Sequence, residues 1–261
     1  MKHIIFLITV LLLTACKEQK KEVVNPIEEK VGVVVKTYPE NISKIFETHG
    51  GLDNWNTLRT LEFTMNKPSG AERTVTDLKN RKSYIETDKF QIGYNGKEVW
   101  IKQDSLHYKG KPRFYYNLMF YFYAMPFILA DEGIVYSVVE PLVFEGKTYP
   151  GIKIGYNAGV GESPEDEYIL YYDSETNKMA WLGYTVTFFT KEKGKEFHFI
   201  KYSNWQEVDG LVLPETLTWY DYENNQPTER KNTLKFINIK TSKEKPNSEI
   251  FESPEGAVIV E

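Results

Sequence analysis

Leu61-Glu62-Phe63-Thr64-Met65 places a large apolar side chain at every second position, with a charged and a small polar residue between them. A period of two puts Leu61, Phe63 and Met65 on one face of a strand, half buried and half wet. Working outward, the same alternation returns near residues 71–78, 81–88, 89–94 and 97–103, and Asn95-Gly96 supplies the turn of a hairpin. Upstream the period changes. From Pro39 to Gly51, Ile42, Ile45 and Phe46 fall at i, i+3 and i+4, Pro39 suits a first turn, and Gly50-Gly51 is a stop. That spacing predicts a helix, followed over Leu52 to Leu58 by a short turn carrying Trp55.

Downstream the strands are interrupted once. Phe114 to Phe127 holds eight aromatic residues in fourteen, with Leu118, Met119 and Met125 between them. A segment apolar on nearly every side cannot be a surface helix. Pro126 ends or kinks it and starts a second short helix ending near Asp131. Two readings stay open: a plug filling the core, or a lid over an apolar cavity with Met as adaptable surface. In the second, Phe114, Leu118, Met119, Phe122, Met125 and Phe127 are the expected ligand contacts.

Strands resume near 134–140, 148–156, 167–173, 178–190, 196–205, 211–222 and 228–240. Polar turns separate them: Asp173 to Asn177, Lys191 to Lys195, Asp209-Gly210 and Glu223 to Asn225. Pro214 marks an edge or bulge, because proline cannot donate to a ladder. Tight turns between consecutive strands mean an antiparallel meander, and the βαβ spacing of a parallel sheet is missing. Eleven to thirteen strands exceed a flat sheet, so the sheet is expected to curl. Residues 38–242 then form one mainly β (α+β) domain, and 243–261, with Pro246 and Pro254, read as a loosely packed tail.

Composition agrees. Aromatic residues make up 15% of the 261, with 18 Tyr and 15 Phe, which favours strands. A formal net charge of −5 gives no global attraction to nucleic acid. The single cysteine rules out an intramolecular disulfide and a cysteine metal cluster.

That cysteine is Cys16. Met1 to Ala15 has a positive start at Lys2, an apolar run from Ile4 to Leu13 and small residues before Cys16, the layout of a secretory signal too short to span a membrane. Leu13-Thr14-Ala15-Cys16 resembles the lipobox of bacterial lipoproteins. The resemblance implies a signal peptide over 1–15, acyl chains on Cys16 as the membrane anchor, and a cell-envelope, outer-membrane address. Residues 16–37, with the charged run Lys17 to Glu22 and Asn25-Pro26, read as a flexible tether reaching ~25 Å.

The order of a first helix, about six strands, a short hydrophobic helical insert and further strands resembles the lipoprotein-carrier (LolA/LolB-like) fold. Leu170 to Asp173 running on to Trp181, and Glu207 to Pro214, look like hairpins of that superfamily, and His49-Gly50-Gly51 with Trp55 resembles an uncharacterised group of bacterial lipoproteins. The resemblance implies an open, strongly curved half-barrel, lidded by helices, that holds acyl chains. The carriers' cavity arginine has no counterpart here, so transfer between membranes is not implied.

Chemistry is sparse. His49, His107 and His198 are isolated and lack metal-binding spacing. Glu162, Glu165, Asp166 and Glu167 gather oxygen atoms without the pattern of a calcium loop. The nucleophile elbow and the phosphate loop are both missing. Asp209 and Glu215 could do glycoside chemistry only if folding brings them together. The expectation is therefore a non-enzymatic, cofactor-free lipoprotein that binds a lipid or other apolar ligand. A structural or partner-docking lipoprotein with a filled core is the alternative, and a hydrolase is third.

Overall fold

The computed structural model describes residues 36–156, 166–190, 194 and 196–260. The expected signal peptide, Cys16 and most of the tether lie outside them. Two short helices come first, α1 (Glu40–Thr48) and α2 (Leu52–Thr57). The meander follows with β1 (Thr60–Lys67), β2 (Gly70–Asp77), β3 (Ser83–Glu86), β4 (Phe90–Tyr94) and β5 (Val99–Gln103). The insert comprises α3 (Pro112–Tyr115), α4 (Leu118–Tyr123) and a single 3-10 turn over Phe127–Ala130. Strands β6 (Ile134–Phe144), β7 (Lys147–Tyr156), β8 (Tyr168–Tyr172), β9 (Met179–Tyr184), β10 (His198–Val208), β11 (Leu211–Glu223) and β12 (Gln226–Ser242) come next. The chain closes with a 3-10 turn over Ser248–Phe251 and a short β13 (Val258–Val260).

These strands form one antiparallel sheet in the order β13-β5-β4-β3-β2-β1-β12-β11-β10-β9-β8-β7-β6, with β13 and β6 as its edges among the described residues. The sheet is open, and its thirteen strands agree with the expected count of eleven to thirteen. β12 is its spine. Its first part pairs with β11 from Glu223↔Gln226 to Thr216↔Lys235, and its second part with β1 from Met65↔Phe236 to Thr60↔Ser242. Asn238, at φ 52°, carries the bulge on β12 that re-aims it between the two partners. Pro214 lies just beyond the last β11–β12 pair, on a local edge, where its missing N–H costs no ladder bond.

Curling follows from the alternation. Phe63, Phe236, Leu217, Ile200, Leu182, Leu170 and Ile152 come from seven neighbouring strands, yet all are buried in one cluster with the insert. A flat sheet of that width could not bring them to one core. Helix α1 adds Ile42, Ile45 and Phe46, the three residues of its apolar stripe. Among the described residues no helix is long and apolar enough to cross a membrane.

Two expectations need correction. β9 stops at Tyr184 rather than running to 190, because Thr187 turns aside to donate its backbone N–H and its hydroxyl to Asp166 Oδ1, each at 2.7 Å. Nor is the C-terminal segment loose. Phe251 is fully buried against Val75, Tyr84 and Trp100, Trp100 Nε1 donates to the Phe251 carbonyl at 2.8 Å, and β13 extends the sheet beyond β5. The Trp100 ring lies so close over Gly93 that a Cβ there would fall 2.2 Å from it. Only glycine fits beneath it.

Candidate functional site

The insert is pinned along its length. Tyr115 at the end of α3 donates to Glu72 Oε1 at 2.6 Å and receives a hydrogen bond from Lys67, whose ammonium also sits 2.7 Å from Glu72 Oε2. Ser83 Oγ donates to the Tyr116 carbonyl at 3.0 Å, and Tyr202 donates to the Phe122 carbonyl at 2.7 Å. Asp131 accepts two hydrogen bonds from Arg81 at 2.7 and 2.8 Å, closing the far end. Both bonds come from Arg81 Nη2, one nitrogen bridging the two carboxylate oxygens.

Between these ties the insert fills the concave face. Tyr123 stacks on Phe236 with ring centres 4.5 Å apart and meets Phe63 at 4.7 Å, and Phe127 stacks on Trp55 at 4.7 Å. Four of the six expected ligand contacts, Met119, Phe122, Met125 and Phe127, are therefore core residues, each 5% exposed or less. The other two, Phe114 and Leu118, are partly exposed and line a cavity of about 300 Å³. The cavity is bounded by the flank of the insert and by the facing ends of β7 and β8, at Tyr156 and Tyr168. Phe188, in the segment that leaves β9, completes its apolar wall and touches Phe114 at 5.1 Å between ring centres. Arg113, Asn117, Asp131, Glu132 and Asp166 supply polar groups.

The electrostatics of this space are set by burial and by carboxylates. Burial raises the Tyr156 hydroxyl above the usual phenol range, and Tyr121, Asp131 and Asp166 push it the same way. Burial likewise holds Tyr168 well above that range, with smaller contributions from Tyr156 and Asp166. Both are neutral phenols at physiological pH.

Elsewhere the candidate chemistry does not converge. His49 is buried, His107 bonds Ser105 on the surface, and His198 lies between the rings of Tyr184 and Tyr222. Asp209 accepts from Thr241 at 2.5 Å, whereas Glu215 pairs with Lys235 at 3.2 Å. Asp166 is tied to Thr187 and Glu167 to Lys153, while Glu162 and Glu165 lie outside the described residues. Among the described residues no group of three or more potential metal ligands forms. Periodicity missed Asn117, Tyr156, Tyr168 and Phe188, since tertiary folding alone brings them together. The one sequence signal was the adjacent pair Phe188-Phe189, which breaks alternation.

An open sheet curled onto a helical plug, with an aromatic-walled cavity beside the plug, defines a shell-like β architecture. The chain belongs to the family of unknown function DUF6503, whose sequence model matches residues 54–245. It is similar in structure to a LolA superfamily protein from Nitrosomonas europaea, at 9% identity and a TM-score of 0.45, over 77% of this chain and 96% of the other. A Vibrio parahaemolyticus domain described as an outer membrane lipoprotein-sorting protein matches at 9% identity and TM-score 0.42, over 80% and 97%. A DUF1329 family protein from Desulfovibrio piger matches at 9% and 0.42, over 77% and 93%. Among curated proteins the chain has no match.

Proposed function

We propose that this chain is a lipid-anchored protein of the cell envelope, held at the outer membrane by acyl chains on Cys16, which binds an apolar ligand and performs no catalysis. The cavity beside the insert carries the reading. Its volume of about 300 Å³ stands at the lower end of small-molecule sites, and aromatic walls with a few polar groups are what such sites use. The binding surface is the outer flank of the insert, at Phe114 and Leu118, together with Tyr168 and Phe188.

The test is binding of a neutral solvatochromic dye to residues 36–261, compared between wild type and Leu118→Trp. Leu118 lines the cavity, so an indole there occupies the space. Dye binding is expected in the wild type and lost in the variant, at a similar melting temperature. A wild type that leaves the dye unbound refutes the reading. The burial of Met119, Phe122, Met125 and Phe127 favours the second reading, a structural or partner-docking lipoprotein with a filled core. That reading predicts the unbound result.

A further inference from the structure

The side of the cavity where α3 begins carries a surface patch of its own chemistry. Phe189 is 56% exposed, and its ring centre lies 5.0 Å from that of Phe114 and 5.2 Å from that of Phe188. Phe114 and Phe188 are partly exposed and line the cavity, so the three rings form one apolar patch beside it. Lone exposed aromatics are ordinary, whereas a contiguous cluster marks an interaction site. The surroundings of this one are basic. Lys111 Nζ stands 5.3 Å from the centre of the Phe189 ring, Lys109 is exposed two residues earlier, and Arg113 lines the cavity next to Phe114. From Ser105 to Ala130 the sequence holds these three cations and no acidic residue, in a chain of formal net charge −5. Of the cavity's carboxylates, Asp131 is held by Arg81 and Asp166 by Thr187, and Glu132 lies beyond the insert.

We infer that this patch docks on an anionic lipid surface, with Phe189 entering the headgroup layer, Lys109 and Lys111 meeting the lipid charges and Arg113 adding to the positive field. Charge complementarity selects this occupant. An acidic chain is repelled by an anionic bilayer except where its cations gather, and an apolar ring flanked by lysines binds by both forces at once. A second copy meeting the same patch would set lysine against lysine. Docked in this way, the cavity wall at Phe114 and Phe188 lies at the lipid, and an apolar ligand passes between bilayer and cavity without crossing water. Docking itself does not require the cavity to be occupied.

The test is co-sedimentation of the chain from Lys17 to Glu261, which lacks Cys16, with two kinds of vesicle: phosphatidylcholine alone, and phosphatidylcholine with phosphatidylglycerol in equal parts. Binding to the mixed vesicles is expected to be about ten-fold or more tighter than to phosphatidylcholine, and to weaken as salt is raised. Phe189→Ser, and separately Lys109→Glu with Lys111→Glu, are each expected to weaken binding to the mixed vesicles about ten-fold at an unchanged melting temperature, since all three positions are exposed. Equal binding to both vesicles, binding to neither, or variants that bind as the wild type does overturns the inference. So does a dimer in analytical ultracentrifugation that Phe189→Ser abolishes while vesicles are left unbound, because the patch then serves a second copy. Dye titration of the wild type reports the cavity separately: dye taken up without docking overturns this inference alone, and docking without dye overturns only the cavity reading.

Discussion

His49 ties together three distant stretches of chain with one ring. Its Nδ1–H donates to the Val212 carbonyl at 2.8 Å, and its Nε2 accepts from the Met179 backbone N–H at 3.1 Å. The Val212 N–H in turn reaches the His49 carbonyl at 2.9 Å. An amide N–H can only donate, so the ring is neutral with its proton on Nδ1. Burial pushes the imidazole down to about 4, against the opposing pull of the Val212 carbonyl. The folded value lies below the unfolded one. Acid therefore favours the unfolded chain, and the contribution is complete above pH ~6.5 and lost as pH falls towards ~4. The loss amounts to about 3 kcal/mol over that window. His49→Gln should be less stable than wild type at neutral pH, with the gap narrowing on acidification. Urea unfolding of both proteins across that range checks it, and parallel stability curves would refute the assignment. The sequence shows an isolated histidine before Gly50-Gly51 and no sign of this tie, because its partners lie 130 and 163 residues away. Local spacing cannot carry that information.

The insert illustrates what pattern does and does not reveal about an element. Eight aromatics in fourteen residues announced an all-round apolar segment, and Pro126 announced its break. Which side met the sheet was not legible, because an element apolar on every face has no moment to orient it. Phe122→Ala should therefore act as a core truncation, costing about 3–5 kcal/mol and lowering the melting temperature. Phe114→Ala, half-buried on the cavity side, should reduce dye binding with a smaller thermal effect. Dye titration and thermal denaturation of the same two preparations decide it, and the assignment is wrong if the two variants exchange roles. The C-terminal segment shows the converse blindness. One aromatic, Phe251, anchors it among polar residues, and a single buried side chain has no period to detect. Phe251→Ala is expected to cost about 3–5 kcal/mol and to speed hydrogen exchange on β5 and β13, whereas a loose tail would leave both unchanged.

Across the whole molecule, the strand alternation and tight turns gave away the antiparallel meander, and strand number gave away its curvature. The end of β9 was hidden, since Val186, Phe188 and Phe189 read as more strand while Asp166 draws Thr187 out of the ladder. The proposed anchor belongs to this scale too. Cys16→Ser should leave the chain unprocessed or soluble on membrane fractionation, and a variant still acylated and firmly membrane-bound would rule the lipobox out. Because β12 joins both parts of the sheet, a chain ending at Asn225 should lack cooperative unfolding, which thermal denaturation followed by circular dichroism would reveal. That strand also sets a timetable. β1 begins at Thr60 but its partner on β12 ends at Ser242, so the ribosome delivers the second roughly 10–35 s after the first at ordinary rates of synthesis. Until then one side of β1 has nothing to pair with and Phe63 has no Phe236 to lie against. A polypeptide built this way stays unlocked while it is being made.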